Sequence, residues 1–70
     1  MNASSFDFAG VDFDRSEVLH LRRDFVEHAW TAAIGGHWVP LPWAETADAV
    51  SVLMWLEGRT GGPVKIRVEH

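Results

Sequence analysis

The side chains best suited to chemistry lie on one stretch: Glu17, His20, Asp24 and His28. If that stretch is helical, their spacing of i, i+3, i+7 and i+11 lines them up along a single polar stripe, with Glu27 and Thr31 beside it. Glu17-x-x-His20 has the spacing of helical di-metal sites. Imidazole and carboxylate together suit zinc, iron or nickel. A protein metal site needs three or four converging ligands, however, and one straight helix offers two. The remainder would have to come from His37, His70 or a second subunit. The plainer reading is a solvated helix face with weak i,i+4 pairs. No metal and no other cofactor is therefore expected, and the four residues stand as candidates alone.

Other chemistry finds less support. There is no cysteine, and Ser4, Ser5, Ser16 and Ser51 sit in no elbow-like or triad-like context. The Gly58–Gly62 stretch lacks the Lys-Ser/Thr ending of a phosphate loop. A chain of 70 residues would also struggle to enclose a substrate pocket of several hundred Å3. The expectation is a protein without catalytic activity.

Charge and composition narrow the partners. The formal net charge is −4 with histidines neutral, which disfavours nucleic acid and anionic membranes as general partners. Arg59, Lys65 and Arg67 form a thin basic cluster. A small dimeric DNA-binding regulator using the C-terminal basic strand is the alternative they leave open, and a metal-binding helix face is a second one. No apolar run approaches the roughly 20 residues of a membrane span. The N-terminal Met1–Ser5 segment has neither the basic region nor the apolar core of a secretory signal, so a cytoplasmic location is expected.

Four tryptophans and a 47% hydrophobic content argue for an ordered chain with aromatic surface to spare. By elimination the sequence reads as a small acidic module that binds a protein partner: an adaptor, an antitoxin-like regulator or an inhibitor. Candidate anchors are Phe6, Phe8, Trp38, Val52 and Trp55. A homodimer through leftover apolar surface is also expected.

The elements that must position these residues are read from periodicity. The expected fold is a single α+β domain over 1–70, with two helices packed on a small sheet. Residues 1–13 read as an extended arm in which Phe6 and Phe8, then Val11 and Phe13, share parity around a possible Ala9-Gly10 turn. Asp14-Arg15-Ser16-Glu17 has capping-box spacing and predicts a helix over 14–34, stopped by Gly35-Gly36. Pro40 and Pro42 exclude a central strand, leaving Trp38-Val39 as a short edge strand. A second helix is predicted over 43–57, with Trp43, Ala47, Val50 and Met54 on its apolar face, Ala49, Leu53 and Leu56 widening it, and Val52 and Trp55 left outside it. The segment 64–69 alternates strictly and reads as a half-buried strand with Val64, Ile66 and Val68 inward. Its favoured partner in the sheet is the N-terminal arm.

Overall fold

The computed structural model describes residues 5–69. It is α+β: one helix packs on a mixed sheet of four strands, and a separate two-stranded hairpin completes the fold. The elements in chain order are β1 (Ser5–Phe8), β2 (Val11–Asp14), β3 (Val18–Asp24), β4 (Ala29–Ile34), β5 (His37–Ala44), α1 (Ala49–Thr60) and β6 (Lys65–Glu69). β1 pairs with β2, and the larger sheet runs β5-β4-β3-β6, antiparallel except where β6 lies parallel to β3.

The predicted helix over 14–34 does not form; β3 and β4 take its place as an antiparallel pair. The same residues satisfy both periods. Leu19 and Leu21 alternate with His20 and Arg22 as cleanly as Val18, Leu21 and Phe25 step along a helix. Pairing decides between them, because it buries Leu19, Leu21, Trp30, Ala32 and Ile34 together. The presumed capping box is a turn. The Asp14 carboxylate accepts from the Ser16 amide and hydroxyl, both at 2.8 Å, and the Glu17 amide donates to the Asp14 carbonyl at 2.9 Å. Asp24 repeats the device between β3 and β4, accepting from the amides of Val26 at 3.0 Å and Glu27 at 3.1 Å. A short carboxylate serves a turn and a helix N-cap by the same bond, so spacing alone does not distinguish them.

Two glycine-bearing turns close the hairpins. Ile34 pairs with His37 across Gly35 and Gly36, whose φ values of 58° and 83° match the two-residue turn that suits strand twist. Phe8 pairs with Val11 across Ala9 and Gly10, at φ 51° and 79°. The N-terminal arm thus folds back on itself, and β6 pairs with β3 rather than with the arm. The part of the arm over 1–4 lies outside the described residues, as does His70.

α1 begins later than predicted, because Trp43 and Ala44 still belong to β5. Asp48 caps it, accepting from the Ser51 amide at 2.7 Å, and Gly61 ends it in the left-handed region with its amide on the Glu57 carbonyl at 3.0 Å. Its buried face is rotated from the predicted one, keeping Leu56 but exchanging Val50 and Met54 for Val52. Val52 and Leu56 are fully buried, whereas Val50 and Met54 are 65% and 67% exposed. The approach of α1 is set by Ala47, whose carbonyl accepts from the Trp30 indole at 2.8 Å; the Arg23 guanidinium donates to the Glu45 carbonyl at 2.9 Å and lies 4.4 Å over the Trp30 ring. At the other end, Arg15 donates to the carbonyls of Thr60 and Pro63 and covers the Phe6 ring. One guanidinium thereby ties the β2–β3 turn to the end of α1.

No helix among the described residues is long and apolar enough to cross a membrane.

Candidate functional site

Strand alternation places Leu19, Leu21, Trp30, Ala32, Leu41, Ile66 and Val68 on the face that α1 covers. It places Val18, His20, Arg22, Thr31, Trp38, Lys65, Arg67 and Glu69 on the opposite face. Two surfaces follow: a groove beside the helix, and the uncovered face of the sheet.

The groove runs between the tip of the β1–β2 hairpin, the outer edge of β5 and the C-terminal half of α1, with a volume of about 510 Å3. Phe8 and Trp55 meet in its wall edge to face, with ring centroids 6.3 Å apart at 89°. Val39, Pro40, Leu41 and Pro42 line the strand side. Asp7 and Arg59 supply one charge of each sign, and the Arg59 guanidinium lies 5.2 Å from the Trp55 ring centroid. The prolines shape this wall. In a two-residue hairpin closed by Ile34 and His37, the backbone groups of His37 and Val39 point to β4, and those of Trp38 and Pro40 point outward. Pro40 therefore removes an outward donor, and Pro42 has no N–H to offer either. With the prolines in place, the β5 edge keeps the outward N–H of Trp38 but lacks the run of donors that would let another strand join it.

On the uncovered face, the Arg22 guanidinium stacks 4.2 Å over the Trp38 ring. Thr31, the cross-strand neighbour of Arg22, is buried in this otherwise open face, and its hydroxyl donates to the Arg22 carbonyl at 3.2 Å. Lys65 and Arg67 stand exposed on β6. Nδ1 of His20 lies 2.7 Å from Oε1 of Glu69, an ion-pair distance when the ring is protonated, without the alignment of a hydrogen bond. Both side chains are over 40% exposed, so the contact contributes little.

No family model, curated protein or solved structure matches this chain. The candidate site therefore rests on geometry.

Of the five anchors expected from sequence, Phe8 and Trp55 come together in the groove. Phe6 is buried, stacked on Phe13 at 5.6 Å. Val52 is core, with none of its surface exposed, which corrects its placement at a partner surface. Trp38 lies on the uncovered face beneath Arg22. The metal stripe required a helix. On a strand and its turns the same residues separate: Glu17 precedes β3, His20 is on the uncovered face, Asp24 closes a turn and His28 contacts Glu45 at 3.3 Å. Among the described residues no group of three or more His, Cys, Asp or Glu side chains converges on a metal position. Sequence reasoning set Asp7 near the aromatic anchors but missed Leu41 in the groove and Arg22 on the open face, and it grouped Arg59 with Lys65 and Arg67 rather than with Trp55. Besides Phe8 and Trp55, the Pro40-x-Pro42 spacing hinted at the groove, by marking an edge strand.

Proposed function

We propose that the chain is a small non-enzymatic interaction module that holds an extended apolar segment of a protein partner in the groove between β1, β5 and α1. The observation that carries this reading is the meeting of Phe8 and Trp55 beside the Pro40–Pro42 edge. Aromatic residues and arginine supply most of the energy at interfaces, chiefly where they are desolvated. Aromatic-lined grooves take extended peptides that lose little entropy on binding. Opposite charges at Asp7 and Arg59 would orient such a peptide.

Selection from a displayed random-peptide library, followed by NMR mapping, tests the proposal. Bound peptides should shift the Trp55 indole signal, and Trp55→Ala should weaken binding by roughly tenfold or more, the loss of one interface anchor. Met54→Ala, on the outward side of α1, should bind as wild type. Failure to select a peptide, or shifts confined to Trp38 and β6, would reject the groove.

A second reading draws on Arg22, Lys65 and Arg67, which share the uncovered face with Trp38. Basic groups interleaved with an aromatic suit a single-stranded nucleic acid. The net charge of −4 and the carboxylate of Glu69 on that face weigh against it.

A further inference from the structure

The two edges of the four-stranded sheet differ in kind. The β5 edge is closed to strand addition by Pro40 and Pro42. The opposite edge is β6, Lys-Ile-Arg-Val-Glu, which contains no proline and no bulge, and among the described residues nothing pairs with its outer side. Ile66 and Val68 remain partly exposed there although they belong to the core face.

We infer that β6 pairs antiparallel with β6 of a second copy of this chain, with Arg67 on the two-fold axis. The order of side chains favours that occupant. In this register Lys65 faces Glu69 of the partner copy at both ends, and Ile66 faces Val68 of the partner copy on the core side. Opposite charges and β-branched residues set directly across a ladder are mutually stabilising. The two Arg67 side chains meet at the centre, where like charges oppose pairing; each lies diagonal to both Glu69 and Lys65 of the partner copy, so the terminal Lys65–Glu69 pairs and the Ile66–Val68 pairs carry the contact. A two-fold axis makes the contact self-complementary and closed, so it stops at a dimer. The sheet would run unbroken as β5-β4-β3-β6 and its mirror order. Eight strands about 4.8 Å apart would place the two proline-blocked edges, and with them the two grooves, about 34 Å from each other. This inference stands whether or not the groove binds a peptide.

Charge reversal with sedimentation equilibrium tests the pairing. Wild type should associate with a micromolar dissociation constant, as suits a contact of one strand's width. Lys65→Glu and Glu69→Lys should each weaken the dimer by roughly tenfold or more, because both symmetric pairs become repulsive. The two substitutions together should restore it to within about threefold of wild type. Arg67→Thr, which removes the like-charged centre, should tighten it. Circular dichroism reports whether each variant is folded. Should a single variant unfold, mixed isotope-labelled wild type offers a direct reading: contacts between Ile66 of one copy and Val68 of the other are expected. A wild type that stays monomeric at about 1 mM overturns the inference, as do single variants that dimerise unchanged, a folded double variant that remains monomeric, or labelled samples without those contacts.

Discussion

Trp55 presents its ring to Phe8 edge to face, 6.3 Å between centroids at 89°, and so joins the last turns of α1 to the N-terminal hairpin. Such a pair contributes about 0.5–1.5 kcal/mol beyond the area it buries. Phe8 is buried and Trp55 half-buried, so the contact forms part of the core on one side and the groove wall on the other. Trp55→Ala should therefore leave a folded protein that has lost peptide capture and about 1–3 kcal/mol of stability. Urea unfolding alongside binding separates the two effects. Peptide affinity that survives Trp55→Ala would remove the groove from consideration.

The exposed and buried sides of α1 make a sharper structural test. Leu56→Ala should cost about 2–5 kcal/mol, since Leu56 is fully enclosed. Met54→Lys, two residues earlier and on the outward side, should change stability by no more than about 0.5 kcal/mol. Equal losses from both would mean that the helix is rotated from the orientation described.

Ala9 occupies the left-handed region at φ 51°, where a β-carbon is unfavourable by about 1–2 kcal/mol. Asn-Gly is the favoured pair for this turn. Ala9→Asn should accordingly stabilise the hairpin by about 1 kcal/mol, seen as a higher midpoint in thermal unfolding. A lower midpoint would contradict the turn geometry.

Acid should weaken the fold through two carboxylates. The Ser16 amide and then its hydroxyl hold Asp14 below its usual range, and the Ser51 amide is the main group that does so for Asp48. A carboxylate depressed in the folded state contributes stability that is present above its unfolded pKa, near 3.8. That contribution disappears as pH falls through the lower folded value. Stability measured from about pH 5 down to about pH 2 should decline, and Asp14→Asn with Asp48→Asn should flatten the decline. An unchanged acid limb in the double variant would show that other groups control it.

Binding to single-stranded nucleic acid or to duplex DNA at physiological salt should be undetectable, given the net charge of −4. Submicromolar binding that falls steeply with salt and is abolished by Lys65→Glu with Arg67→Glu would favour the nucleic-acid reading. Fluorescence anisotropy across a salt series decides the matter.

Local chemistry by itself determined several features of this protein. The alternation of Val64, Ile66 and Val68 specified a half-buried strand. Gly35-Gly36 specified where the preceding element ends, though as a helix stop rather than the hairpin turn it is, and Pro40 with Pro42 specified that any strand there lies at an edge. The apolar run from Val50 to Leu56 specified a helix, and Phe8 and Trp55 were legible as aromatic surface. Each of these depends on residues within a few positions of one another. Tertiary structure decided the rest. Residues 14–34 satisfy a helical and a strand period equally, and pairing made them strands: β3 with β4, β4 with β5, and β3 with β6 as far away as Val18 with Lys65. The run 50–56 is apolar on every side, so only the sheet beneath it determined that Val52 faces inward and Val50 outward. The groove depends on three elements brought together from Asp7, Leu41 and Arg59. No local pattern encodes that juxtaposition, because the energy that creates it comes from burying side chains distant in the chain against one another.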